Sequence, residues 1–152
     1  MALSLYQKAP DFSLPATGNK IITLSKDFAN KSVILYFYPK DFTRGCTAEA
    51  CSFRDSLLAL QGIEIPVLGI SRDSIETHEK FKKAYQLPFD LLSDLKGNVI
   101  KQYDAFLFPI LGIVKRISYV LDKDHKIVGV YESMFDAKAH VKHTIEIYQH
   151  KL

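Results

Sequence analysis

The segment Val33-Ile34-Leu35-Tyr36-Phe37-Tyr38-Pro39-Lys40-Asp41-Phe42-Thr43-Arg44-Gly45-Cys46-Thr47-Ala48-Glu49-Ala50-Cys51 decides how this chain is to be read. Six consecutive β-branched, aliphatic or aromatic residues before Pro39 predict a strand buried on both faces, as the strands of a parallel sheet are. From Thr47 to Gln61 the apolar residues take helical spacing. Ala50, Phe53, Leu57, Leu58 and Leu60 are available to one buried side, and Gly62 stands where a helix-ending glycine is expected. Between strand and helix, Gly45 lets the backbone turn and Cys46 falls at or just inside the helix start. Free backbone N–H groups and the positive end of the helix dipole stabilise a thiolate there. The carboxyl end of a central strand is also where α/β sheets open a ligand crevice.

Outward from this segment the pattern repeats. Asp11 to Leu14, a turn at Thr17-Gly18-Asn19 and Ile21 to Leu24 predict an N-terminal hairpin. Ile65 to Ile70 reads as a second buried strand, followed by Asp73 and Ser74 as helix caps and a helix over 75–85. A short strand at Leu91-Leu92 and a small helix over 98–103 come next. Residues 117–121 and 127–131 predict an antiparallel pair, and a helix over 136–150 closes the chain. Strands alternating with helices, then a hairpin and a helix, indicate a mixed β-sheet covered on both faces.

Composition narrows the function. The 152 residues fit one domain, 1–152, and 47% of them are hydrophobic, which excludes disorder as the main state. Twenty basic against 17 acidic residues give a net charge of +3, too weak a bias to call for nucleic acid or a membrane surface. The longest near-apolar run, 105–114, is about half the length a bilayer span needs and carries Pro109 and Gly112. The first residues have no basic region followed by an apolar one, so the expected location is the cytoplasm, where thiols are kept reduced. Two cysteines rule out a disulfide-stapled scaffold and a four-cysteine zinc module. No glycine-rich phosphate cradle or dinucleotide fingerprint occurs, and no cofactor is called for.

A lone cysteine after a strand is most often a small buried hydrophobe. Its neighbours reverse those odds. Pro39, Thr43 and Cys46 reproduce the Pro-x-x-x-Thr/Ser-x-x-Cys pattern of peroxiredoxins. The run Gly45-Cys46-Thr47-x-Glu49-Ala50-Cys51-x-Phe53-Arg54-Asp55 resembles the subgroup called PrxQ or bacterioferritin comigratory proteins. The likeness extends to Ala9-Pro10-Asp11-Phe12, Leu87-Pro88-Phe89, Leu92-Ser93-Asp94 and the arginine before Ile117. It implies a thioredoxin-like fold with an N-terminal hairpin, with which the element order is compatible. It further implies a thiol-dependent peroxidase acting on hydrogen peroxide and organic hydroperoxides. Cys46 would be the peroxidatic nucleophile, with Thr43 bonding the thiolate and the peroxide, Pro39 shielding the pocket, and Arg116 favouring the thiolate and polarising the O–O bond. Glu49 would orient Arg116 by a bidentate pair. Two positions depart from the subgroup: Phe42 replaces a small or acidic residue and is read as an apolar wall, and Arg44 replaces a proline and is read as solvated.

Cys51 follows Cys46 by five residues. On a regular helix that spacing gives a rise of about 7.5 Å with side chains about 140° apart. The separation exceeds the roughly 7 Å that a disulfide tolerates between Cα atoms, so bridging requires the helix start to unwind. Members of the subgroup with this spacing resemble the type in which the second cysteine resolves the sulfenic acid within one chain, with a thioredoxin-like dithiol restoring both thiols. Such a cycle makes a monomer sufficient without demanding it. A plain buried cysteine with an external resolving thiol remains the alternative. At the level of function the alternatives are a thiol–disulfide oxidoreductase, disfavoured by the lack of Cys-x-x-Cys, and a redox-sensing protein that oxidises once.

Two further signals are weighed. His140 and His143 share a helical face, and a solvated terminal helix is the expected reading rather than a metal site. The run 105–114 reads as a buried connection, as a surface that pairs two subunits or, the preferred reading, as an apolar collar for organic hydroperoxides.

Overall fold

The computed structural model describes residues 2–60 and 63–152. Its order is β1 (Ser13–Ala16), β2 (Lys20–Thr23), α1 (Leu24–Asp27), β3 (Val33–Phe37), α2 (Arg44–Ala59), β4 (Val67–Ser71), α3 (Ile75–Tyr85), β5 (Asp90–Ser93) and α4 (Asn98–Gln102). Then come β6 (Phe106–Phe108), a 3₁₀ turn over Pro109–Leu111, β7 (Ile113–Val114), β8 (Ile117–Leu121), β9 (Ile127–Glu132) and α5 (Ala137–Lys151). Seven strands form one mixed sheet in the order β2-β1-β5-β4-β3-β8-β9. β3 runs parallel to β4, and β4 to β5; β8 pairs antiparallel with β3, and β9 with β8. The expected N-terminal hairpin joins this sheet, since β1 reaches β5 through Ala16 opposite Leu92.

The run of apolar residues in β3 works because both faces are covered. Val33, Leu35 and Phe37 enter one core with Val99, Ile100, Tyr103 and Tyr119. Ile34 and Tyr36, with Tyr38 just beyond, enter the other with Cys46, Phe53, Phe81, Val141 and Ile145. This alternation is the period-two geometry of a strand. The second core, beneath α2, α3 and α5, contains the thiol. In α3, Ser74 caps the helix by accepting from Thr77 N, as its place in the sequence predicts.

Four expectations need correction. α2 begins at Arg44, three residues before the predicted start, because the turn Arg44-Gly45-Cys46 carries no apolar periodicity to reveal it. Of its predicted inner side chains Ala50 and Phe53 are buried, whereas Leu58 is exposed. Gln61 and Gly62, expected to end it, lie outside the described residues. The run 105–114 is not a buried connection: Ala105 and Val114 are buried at its ends, but Phe108, Leu111 and the fully exposed Ile110 project outward from a two-stranded hairpin. Finally, His140 is not solvated but completely buried.

Candidate active site

β3 delivers Pro39 and the loop after it to the N-terminus of α2. Thr43 occupies the N-cap position with extended backbone, and Cys46 is the third helical residue. Both cysteines are free; Cys46 is buried and Cys51 is half-buried one and a half turns along the same continuous helix. Thr43 makes no capping bond with its side chain. Its hydroxyl donates instead to Lys40 O at 2.8 Å. The anticipated donation from Thr43 to the sulfur is therefore not the bond seen in this resting arrangement. Pro39 is half-buried, and Arg44 is exposed as expected. Phe42 is half exposed with φ +64° and packs edge-on against Phe81 of α3, 5.1 Å between centroids.

Arg116, seventy positions from Cys46, is brought to the sulfur by the edge of β8. Its Nη2 donates to Cys46 Sγ at 3.6 Å, and its Nη1 donates to Glu49 Oε1 at 2.5 Å. Glu49 and Arg116 are both buried. The pair is monodentate, not bidentate: among the described residues Glu49 Oε2 and Arg116 Nε have no hydrogen-bond partner. Burial works against the charged guanidinium, but Glu49 and Cys46 outweigh it and hold the Arg116 pKa above its ordinary value. Cys46 thus faces a fixed, buried cation whose N–H is directed at the sulfur.

Gly45 has a different role from the one its position in a turn predicts. A Cβ on Gly45 would lie 2.9 Å from Arg116 Nη2. The glycine leaves room for the guanidinium to reach the thiol.

Two groups near the site escaped the sequence reading. His140 Nε2 is 2.7 Å from Ser118 Oγ and 3.6 Å from Glu49 Oε2. A signal did exist: His140, Val141, Thr144 and Ile145 form the buried face of α5 at spacings of one and four. The other group is a buried cluster under the Pro39–Thr43 loop. Tyr38 OH donates to Asp41 Oδ1 at 2.6 Å, and Asp41 Oδ2 lies 2.6 Å from His78 Nδ1, whose Nε2 is 3.0 Å from Leu92 O. Asp73 Oδ2 accepts from Asp41 N and from Ser71 Oγ. These carboxylate oxygens are already engaged, so the cluster braces the loop. In α3, His78 shares its face with Phe81 three residues on, which marked it as a buried polar position.

The two buried titratable groups beside Arg116 act on stability in opposite senses. Burial pushes the Glu49 carboxyl up to about 7, against the lowering by Arg116, while burial and the Arg116 charge pull the His140 imidazole down to about 4. A raised carboxyl pKa contributes stability that is present below its unfolded value of 4.5 and lost as pH rises toward 7. A depressed imidazole pKa contributes stability that is present above its unfolded value of 6.5 and lost as pH falls toward 4. Across this range the two largely cancel. Glu49→Gln removes the first contribution only. Its denaturant midpoint is expected to climb from pH 4.5 to 6.5 more steeply than that of the unmodified protein, by up to about 1.4 kcal/mol per pH unit. Parallel curves would refute the assignment.

The chain is similar to known proteins over most of its length. The AhpC/TSA family model matches residues 5–130. A peroxiredoxin bcp of Coxiella burnetii is 43% identical over 137 residues, covering 86% of this chain and 89% of that one. Peroxiredoxin Bcp of Bacillus subtilis is 35% identical over 152 residues, covering 96% and 95%. The chain spans 64% of a longer relative, the chloroplastic peroxiredoxin Q of Oryza sativa subsp. japonica, at 39% identity over 93% of this chain. Among solved structures, peroxidoxin BcpB of Mycobacterium tuberculosis superposes with a TM-score of 0.86 at 32% identity, covering 95% and 96% of the two chains. A mutant PrxQ of Xylella fastidiosa gives 0.86 at 26% identity, covering 100% and 99%. Its buried thiol faces a buried arginine on a thioredoxin-like sheet, and with these relatives covering nearly its whole length the chain belongs to the AhpC/TSA family as a peroxiredoxin, a thiol-dependent peroxidase.

Proposed function

We propose that Cys46 is the peroxidatic residue and Cys51 the resolving one, a reading carried by the single arginine that joins Cys46 to Glu49. The Cys46 thiolate attacks one peroxide oxygen and the O–O bond breaks. The other oxygen leaves as water or an alcohol after taking up a proton, and sulfur is left as a sulfenic acid. Arg116 faces the charge as it moves from sulfur to oxygen, the stage at which a fixed donor lowers the barrier most. Thr43, one turn before the thiol, supplies a second donor once its hydroxyl turns from Lys40 O, and Pro39 walls the loop. Cys51 then displaces the hydroxyl of the sulfenic acid, which leaves as water, and forms the Cys46–Cys51 disulfide. Because both cysteines sit in one unbroken helix, this step requires the start of α2 to unwind. Exchange with a thioredoxin-type dithiol restores both thiols.

In this reading residues 1–152 act as one peroxiredoxin unit, and the closed intramolecular cycle lets it turn over as a monomer. The cytoplasm is the proposed setting. Among the described residues no helix is long and apolar enough to cross a membrane. Organic hydroperoxides join hydrogen peroxide as proposed substrates, supported by the exposed apolar side chains of Phe108, Ile110 and Leu111 in the hairpin that ends two residues before Arg116.

The test is the intact mass of the reduced protein after one equivalent of oxidant, with free thiols counted. Loss of two hydrogens with no free thiol and no dimer is the expected result, and Cys51→Ser is expected to gain one oxygen instead. A free Cys51 after oxidation of the unmodified protein would send the resolving role to an external thiol. With tert-butyl hydroperoxide as oxidant, two unreacted thiols would confine the substrates to hydrogen peroxide.

A further inference from the structure

Glu49 spends one oxygen on Arg116; its other oxygen, Oε2, is buried and unpaired. A buried acceptor without a donor is unfavourable, so a group facing it in this environment matters. The group facing Oε2 is His140 Nε2 at 3.6 Å, one side-chain adjustment from a hydrogen bond. His140 is itself buried, held against β8 by Ser118 Oγ and flanked edge-on by Tyr131 of β9, 5.0 Å between centroids. A bare nitrogen lone pair turned toward a carboxylate oxygen is repulsive. We assign the proton to Nε2, where it is shared between Ser118 Oγ at 2.7 Å and Glu49 Oε2 at 3.6 Å. The charged and titratable groups around this ring are Glu49 from α2, Arg116 at the start of β8, Tyr131 from β9 and His143 from α5 itself.

We propose that His140 is a positioning residue of the peroxide-reducing site, holding the free oxygen of Glu49 and thereby the guanidinium of Arg116 against Cys46. The inference rests on the roles given above to Glu49 and Arg116. It has a second consequence. Glu49 lies between Cys46 and Cys51, inside the stretch that must unwind for the disulfide to form, so a contact from α5 to Glu49 also keeps that stretch wound. His140 thus favours attack on peroxide and opposes closure of the disulfide. Its loss moves the two steps in opposite directions, and the dependence on a donor at the Nε2 position and on Glu49 separates this from a general loss of packing around Cys46.

The experiment follows the two steps separately in a stopped-flow instrument, first the peroxide-dependent oxidation of Cys46 and then the peroxide-independent closure. His140→Leu keeps the bulk and removes the donor. It is expected to slow the first step about tenfold, the scale on which misplacing a catalytic group acts, and to speed the second. His140→Gln, whose amide nitrogen can lie near the position of Nε2, is expected to recover most of the first-step rate. If His140→Leu does not fold, His140→Asn, too short to reach Glu49, takes its place with the same expectation. In a Glu49→Gln background His140→Leu is expected to add nothing to the slowing. Wild-type rates in both His140 variants, or slowing that persists undiminished in the Glu49→Gln background, would overturn the proposal. If Glu49→Gln alone leaves the first step unchanged, the failure lies instead in the role given to Glu49, and the His140 proposal falls with it.

Discussion

Arg116→Met is expected to reduce the second-order rate of Cys46 oxidation by hydrogen peroxide by about 10²–10³, the range seen when one preorganised donor to a developing charge is removed. Methionine preserves much of the buried length but neither faces the sulfur with a cation nor offers it an N–H. The change also strands Glu49, whose Oε1 loses its donor at 2.5 Å while Oε2, with no hydrogen-bond partner among the described residues, keeps only the His140 imidazole at 3.6 Å. Removing one member of a buried ion pair costs about 3–5 kcal/mol when the survivor stays charged. Glu49 escapes part of that cost by taking a proton, since burial already raises its pKa to about 7 and loss of Arg116 raises it further. The stability this group contributes is present below its unfolded value and lost as pH rises through the folded one. The variant should therefore unfold more readily at pH 8 than at pH 6. Adding Glu49→Gln should recover stability at pH 8 without recovering the rate. Stopped-flow oxidation and urea unfolding at the two pH values check both halves. An unchanged oxidation rate would remove Arg116 from the chemistry.

Gly45→Ala separates stability from reactivity in the opposite way. Gly45 is the second residue of α2, and its φ is not in the left-handed region, so alanine fits the backbone. In a helix, alanine is favoured over glycine by about 1 kcal/mol. The new Cβ, however, would stand 2.9 Å from Arg116 Nη2, closer than unbonded atoms tolerate. The guanidinium is the part that must give. It is pinned to Glu49 on one side, so it swings from the sulfur on the other. The expected result is a thermal midpoint equal to or above that of the unmodified protein, with Cys46 oxidation slowed ten- to a hundredfold, the penalty for misplacing a catalytic group by about 1 Å. A variant that loses stability and rate together would show that Gly45 is needed for the fold and not for the approach of Arg116.

The elements of the sheet and its main helices could be read from the chain because their signals are local. Six apolar residues ending at Pro39 need no knowledge of partners to declare a strand covered on both faces. Likewise Ser74, three residues before Thr77, declares where α3 begins. The candidate nucleophile was legible for the same reason, since Pro39, Thr43, Cys46, Glu49 and Cys51 lie within thirteen consecutive residues. The need for α2 to unwind before Cys46 and Cys51 can meet also follows from their spacing alone.

Tertiary structure decided whatever depends on groups distant in sequence. Gly45 appears in the chain as a turn former; its purpose emerges only when Arg116, just before β8, comes to lie over it. A bidentate Glu49–Arg116 pair was a reasonable expectation, but the second carboxylate oxygen instead faces His140 from the last helix. His140 looked like a solvated histidine because polarity alone could not distinguish a charge offered to water from an imidazole buried against Ser118. The apolar run 105–114 admitted a buried connection beside the preferred apolar collar, because hydropathy does not record which surfaces a hairpin leaves uncovered, as it leaves Ile110. The sequence by itself determined the strands and main helices, pointed to Cys46 as the candidate nucleophile and set the constraint on its pairing with Cys51. The tertiary structure determined which charges surround that nucleophile, because electrostatic contacts act across space and leave no period in the chain.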